Sequence, residues 1–328
     1  MLAFDPDAAP FCDVVKNRES PTLFSDTVAI LARDVAQPRP KSNFDFTIPA
    51  AAAEAIRQAG LHVLTLAPEL LGDGRERSLV MQPPRAFIVS RDIHADRADR
   101  GLIKRLNKAG ISVVVYGQTD SNPGLHTVGS DHAEGSRQLV RHLAQSGACR
   151  VLPVWAYVGS WTSDRPWLTR REEGYRTGCK EAGIKALAPL HFSLSDNVPM
   201  GKDQFEHCVR LAAGYLFEHL KAPQRPDAIM ATSDRPAYIL AAACRLLGFK
   251  PGRDIRIVGY DNQVEQLSEE YAGLFEVNAS DIEATVDKNN PEIGQALAAV
   301  ALEVSADGAS PVEPIHRLVE PRLVVLGK

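Results

Sequence analysis

Short apolar runs alternate along this chain with longer segments in which apolar residues recur every three or four positions. Thr27–Leu31, His62–Leu66, Ala86–Val89, Ser112–Tyr116, Val151–Tyr157, Ala228–Ala231, Ile255–Val258 and Leu323–Leu326 read as strands. The helical periods fall at Ile48–Ala59, Gly101–Ala109, His132–Gln145, Arg170–Ala182, Gln204–Leu220, Pro236–Leu247 and Glu292–Val304. Gly60, Gly110, Gly147, Gly183 and Gly248 stand where five of these helices must stop. Strands that are apolar throughout are covered on both faces, which predicts βαβ units and parallel sheets. There are too many for one small sheet. A barrel needs eight regular repeats, and Gln263–Asp281 reads as a long irregular stretch that interrupts them. The fold class expected is therefore α/β, with two doubly wound parallel-sheet lobes. Residues 1–25, with Pro10, Pro21 and mixed charge, read as an arm or linker.

Composition narrows what such a chain does. Its 328 residues leave room for two domains, and 45% hydrophobic residues fill their cores without help from a disulfide or metal. The formal charge of −4 does not suit a chain that binds nucleic acid across its own surface. Residues 1–10 carry Asp5 and Asp7 and no apolar run, so no secretory leader is expected, and no stretch is long enough for a membrane span. Cys12, Cys149, Cys179, Cys208 and Cys244 are scattered without metal-ligand spacing, which fits a reducing cytoplasm and core packing for most of them. No phosphate loop, dinucleotide fingerprint, nucleophile elbow or zinc-helix motif occurs, so neither cofactor nor catalysis is expected.

In open parallel sheets ligands sit outside the carboxyl ends of the strands. The residues there are rich in Arg, Asp, Ser and aromatic types, among them Arg91, Tyr116, Arg171, Ser233, Asp234 and Asp261, and Asp131 is a further candidate for a cleft or hinge role. That composition suits a hydroxyl-rich ligand, gripped by charge-assisted hydrogen bonds and by apolar faces. Each has a plainer reading. Asp131 could cap the helix after it, Asp234 could cap the helix expected at Pro236, and Arg171 could be a solvated helix charge.

Three segments carry more than composition. Val128–Leu143 runs through Ser130-Asp131-His132 into a helix that ends before Gly147. Arg171-Glu172-Glu173-Gly174-Tyr175 has the form Arg-x-x-Gly-aromatic. Pro226–Asn262 joins Thr232-Ser233-Asp234 to Ile257-Val258-Gly259-Tyr260-Asp261-Asn262. In this order, with the tail Leu318–Val324, they resemble the effector-binding core of the lactose/galactose-repressor (LacI/GalR) family. That core has the type I periplasmic-binding fold, and the resemblance covers about residues 26–328. It implies two similar lobes, 26–130 with 287–320 and 131–286 with 321–328, joined by three crossovers near Val128–Asp131, Thr285–Lys288 and Glu320–Arg322.

The resemblance also implies roles. Arg171 and Asp261 match the family's ligand-binding arginine and aspartate. Ser233 holds a place often Asn, and Lys288 a place often Gln. Phe192 lies near the position of a stacking aromatic and Phe44 near an aromatic at the first lobe's helix entry, and Arg165 and Trp167 precede Arg171 on a loop that touches ligand. Arg171 and Asp261 would fall in the second lobe, with Phe44, Arg91 and Lys288 in or beside the first. The family's N-terminal helix-turn-helix is absent, Gln263–Asp281 is longer than usual, and the end lacks the usual Arg-x-Ser. The function expected is a cytoplasmic sensor of a sugar, sugar acid or sugar phosphate that signals by lobe closure. It would form a homodimer and reach operator DNA only through an N-terminal module. A solute-binding protein feeding a sugar transporter is the alternative, and an enzyme on the same frame a third.

Overall fold

Val28, Ala29, Ile30 and Leu31 are all fully buried, yet successive side chains point to opposite faces of a sheet. That one strand therefore serves two helix layers, and the same logic builds both halves of the chain. The computed structural model describes residues 24–32, 44–67, 79, 81–90, 97–118, 124–158, 165–195, 201–274, 276–306 and 313–326. It divides into two compact units, one up to Gly129 with Asn290–Val319, the other Ser130–Asn289 with the residues from Glu320 on.

The first unit contains β1 (Thr27–Leu31), α1 (Phe44–Gln58), β2 (His62–Leu66), β3 (Ala86–Val89), α2 (Arg97–Lys108), β4 (Val113–Tyr116) and β5 (His126–Ser130), which runs into the second unit. In the second lie α3 (His132–Gln145), β6 (Arg150–Val158), α4 (Pro166–Ala182), β7 (Lys185–Ala186), β8 (Leu190–Ser195), α5 (Lys202–Lys221), β9 (Ala228–Ala231), α6 (Asp234–Leu246), β10 (Arg256–Val258), α7 (Val264–Glu270) and β11 (Ala284–Asp287). The chain then returns to the first unit through α8 (Asn290–Ala306) and β12 (His316–Val319), and ends in the second with β13 (Arg322–Val325).

The first sheet has the order β12-β5-β4-β3-β1-β2. Val28, Ile30 and Val114 face α1 and α8, while Ala29, Leu31 and Val115 face α2. The second has the order β13-β11-β10-β9-β6-β7, with β8 also paired to β6 and β13 antiparallel to β11. Val151, Trp155, Met230 and Val258 face α3 and α4; Leu152, Val154, Ile229 and Ile257 face α5 and α6. The two doubly wound parallel sheets expected from the alternation are present.

Several local expectations need correction. Gln263–Asp281 is not irregular throughout. It holds α7 and a 3-10 turn at Ala279–Asp281, with Val264, Leu267 and Tyr271 buried in the core. The helix α4 begins at Pro166, four residues before the expected start, because proline at a helix's first position sacrifices no hydrogen bond. Strands β5, β7, β8, β11 and β12 were not foreseen. Among the described cysteines Cys179, Cys208 and Cys244 are buried and Cys149 is exposed.

The helix pair α3 and α4 packs unusually closely. A Cβ on Gly174 would run into the Ala133 carbonyl, and one on Gly178 would press on Val140. The glycines thus bring α4 down onto α3, and this approach positions the side chains of the site below.

Candidate functional site in the second unit

The topological switch point of the second sheet lies between β6 and β9. From β6 the chain order runs outward one way to β7 and β8, and the other way to β9, β10 and β11. A crevice outside the carboxyl ends of such strands is where ligands bind in open α/β sheets. Arg171 reaches this point from α4. Leu168, Arg171, Gly174, Tyr175, Gly178 and Cys179 form the buried stripe of that helix, at spacings of three and four. Arg171 is thus a cation in an apolar register, and it is only 3% exposed.

Three of its five N–H groups are met, from different sides. Nη1 donates to the Thr232 carbonyl just beyond β9, and Nε donates to His132 Nδ1 at 3.3 Å. Nη2 donates to Asp261 Oδ1 at 3.4 Å. The guanidinium lies 3.5 Å from the Tyr260 ring centre and 4.7 Å from that of Trp167, a doubly aromatic bed for a cation. Lys288, also buried, brings a second cation to the same Asp261 oxygen at 3.3 Å. Because His132 must accept from Arg171, its imidazole is neutral. Burial, then the charges of Arg171 and Lys288, hold its pKa well below the usual histidine value.

Asp261 is the exposed member of this cluster, with its side chain 20% accessible against 3% for Arg171 and 7% for Lys288. Its backbone has φ +98° and Asn262 follows at φ +53°. Consecutive non-glycine residues with positive φ cost on the order of 1–3 kcal/mol each and persist only where the surroundings impose them. The arrangement presents one carboxylate, two buried cations and two aromatic faces. It can hold a hydroxyl-bearing molecule through donors and an acceptor set side by side.

The other expected residues divide. Trp167 and Arg165 belong here, but Trp167 sits in the first turn of α4 rather than on a loop, and Arg165 is the residue before that turn, its guanidinium 5.9 Å from the Trp167 ring. Ser233 is half-buried next to Thr232, at the start of α6, with no capping bond from its side chain. Asp131 caps α3, its Oδ1 accepting from the Glu134 N–H at 2.9 Å, so the plainer of its two readings holds. Lys288, expected beside the first lobe, belongs to the second unit and pairs with Asp261.

Two expectations fail. Phe192 points into the opposite helix layer. On β8, Phe192 and Leu194 are buried against α5, and the Phe192 ring stacks on Tyr215 with centres 4.4 Å apart. Asp234 neither caps a helix at Pro236 nor reaches solvent: it is the first residue of α6 and fully buried. Tyr116 ends β4 of the first unit, half-buried against its core. Phe44 opens α1, and its side chain lies outside the described residues, as does Arg91. His132, Thr232 and Tyr260 were not foreseen as members of the cluster. His132 carried a legible signal: with Leu139, Val140 and Leu143 it occupies the buried stripe of α3.

A sequence profile described as a periplasmic binding protein-like domain matches residues 140–325. The chain belongs to that family. Catabolite control protein A of Staphylococcus xylosus is 27% identical over 180 residues, 53% of this chain and 49% of that protein, so the chain matches about half the length of this relative. The structure of a transcriptional regulator CelR–cellobiose complex superposes with a TM-score of 0.65, at 20% identity, over 94% of this chain and 85% of that one. A LacI-family regulatory protein from Chloroflexus aggregans gives 0.66 at 18% identity over 92% and 97%. At such identities the structural likeness is one of fold. The periplasmic-binding-type architecture and the resemblance to LacI/GalR effector cores are borne out together. No helix among the described residues is long and apolar enough to cross a membrane.

Proposed function

We propose that this chain is the effector-sensing part of a LacI/GalR-type transcription regulator and binds, without transforming, a small sugar or sugar derivative. The observation that carries this reading is the Asp261 carboxylate, held in a strained backbone conformation between buried Arg171 and Lys288 at the strand ends of the second unit. A purely structural ion pair has no need of a strained, partly exposed member. The related CelR structure is described as a complex with cellobiose, which supports a saccharide as the ligand class. Arg171 and Lys288 would accept a sugar acid or phosphate as readily as a neutral hydroxyl.

Closure of the two units on the ligand would be the signal, with Phe44, Arg91 and Tyr116 of the first unit as the expected complementary contacts. Ligand shifts such an equilibrium only through its differential affinity for the closed form. Operator DNA would be read through a module joined on the N-terminal side, and pairing of two copies would match a two-fold symmetric operator. The test is calorimetry with a panel of neutral sugars, sugar acids and sugar phosphates, followed by small-angle scattering with each binder. A binder is expected to reduce the radius of gyration. Binders that leave it unchanged would remove the closure mechanism, and a panel with no binder would remove the saccharide class.

A further inference from the structure

Among the described residues Asp234 is the one fully buried carboxyl beside the site, and the binding scheme makes no use of it. Its Oδ2 accepts from the Gln263 N–H at 2.6 Å, and its Oδ1 lies 2.7 Å from the Thr285 hydroxyl. Thr285 Oγ1 in turn accepts from the Asn262 N–H at 3.2 Å. The Asp234 N–H donates to the Tyr260 carbonyl at 2.9 Å. Gly259 has no side chain where a Cβ would collide with Asp234. These contacts surround the two residues with positive φ. From Tyr260 to Gln263, Asp234 and Thr285 account for three of the backbone's hydrogen bonds; the Val286 carbonyl, accepting from Asp261 N–H at 2.8 Å, supplies another.

We propose that Asp234, acting with Thr285, is a positioning residue: it locks the Tyr260–Gln263 turn so that Asp261 is set against Arg171 and Lys288 before any ligand arrives. The inference rests on Asp261 being the ligand-binding carboxylate, but the latch itself is a property of the empty protein. Burial pushes the Asp234 pKa up to about 8, despite the hydrogen bonds from Gln263 and Thr285 that pull it down. At neutral pH it is then mainly a neutral acid: its carbonyl oxygen accepts from the Gln263 N–H, and the Thr285 hydroxyl, which donates to the carboxylate form, turns to accept from the acid's O–H. The carboxamide of asparagine has the same donor and acceptor pattern.

Amide hydrogen exchange on the full chain tests this, in the native protein and in Thr285→Val, Asp234→Ala and Asp234→Asn. Thr285→Val keeps the side chain's shape and removes the acceptor for Asn262. Exchange at Asn262 is expected to rise about tenfold, while Gln263, still bonded to Asp234, rises less. Asp234→Ala should speed both amides, and Asp234→Asn should restore both. The amides of Ile229 and Ile257 in the sheet core should keep their rates throughout. Unchanged exchange at Asn262 and Gln263 would overturn the proposal. So would acceleration spread equally over β9 and β10, because Asp234 would then be an ordinary core residue. If Asp234→Ala does not fold, Thr285→Val and Asp234→Asn decide alone. No ligand enters the measurement, so its failure is separable from a failure of the sensor reading.

Discussion

Two Arg–Asp pairs, each with one buried partner, lie at opposite ends of the second unit's sheet, and they are built differently. Arg245, at the end of α6, meets Asp281 with two parallel bonds of 2.6 Å each, and Asp281 also accepts from the Asn278 N–H at 2.9 Å. Here the acid is the more buried partner, 4% exposed against 26% for the arginine. At the carboxyl ends of the strands the order reverses. Arg171 is buried, Asp261 is partly accessible, and a single contact of 3.4 Å joins them, on an oxygen shared with Lys288. In the first pair both carboxylate oxygens are taken, by the arginine and by the Asn278 N–H. The second keeps hydrogen-bonding capacity in reserve, and that reserve distinguishes a binding site from a brace.

The sharpest test of the contrast is to remove each arginine. Arg171→Ala should weaken effector binding by roughly 2–5 kcal/mol, as for truncation of one member of a buried charged set. Arg245→Ala should leave affinity unchanged. Calorimetry with any binder from the saccharide panel compares them, and equal losses would erase the distinction.

The reverse experiment uses stability. Asp281→Ala leaves the Arg245 guanidinium without its bidentate partner and the Asn278 N–H without its acceptor, and should cost about 3 kcal/mol in urea unfolding. Affinity for the same binder should hold. A loss below about 1 kcal/mol would show that the brace is ornamental.

How much of this could be read along the chain depends on which residues share a register. Arg171 interrupts an otherwise apolar stripe, Leu168 to Cys179, so helix phase alone favours burial over a solvated charge. Phe192 was misplaced because β8 was missed. Once Leu190–Ser195 is a strand, its alternation sends Phe192 and Leu194 to the α5 side, away from Arg171. The helix α7 is seven residues long and mostly polar, too short for its period to stand out. Asp234 was beyond reach. Its partners Gln263 and Thr285 are 29 and 51 positions away, and nothing local distinguishes a buried acid from a helix cap. The two-sheet architecture was legible since each core strand is apolar on both faces, a pattern that survives errors of a few residues at the ends.

The acid beneath the Asp261 turn gives the site a pH signature of its own. Because the folded pKa of Asp234 is raised to about 8 from 3.8, its contribution to stability is complete below about pH 4 and is lost as pH rises through 8. Asp234→Asn removes that titration. Between pH 5 and 8 the native protein should lose stability relative to this variant, by on the order of 1 kcal/mol per pH unit at most. Urea midpoints measured across the range check it; parallel profiles would mean that Asp234 is not held neutral by the fold.

The smallest expected effect separates the two kinds of backbone strain. Glu276, near the brace, also has positive φ, at +54°, and its exposed side chain makes no contact with the Arg171 cluster. Glycine occupies that region without the Cβ penalty, although it gains freedom in the unfolded chain. Glu276→Gly should therefore stabilise the protein by about 1 kcal/mol or slightly less, with ligand affinity unchanged. Asp261→Gly relieves the same kind of strain but deletes the carboxylate between Arg171 and Lys288, so any backbone gain comes with loss of binding. Thermal melts without ligand, paired with calorimetry, read both variants. If Asp261→Gly bound as well as the native protein, the strain at Asp261 would be as incidental as that at Glu276, and the carboxylate would lose its place in the site.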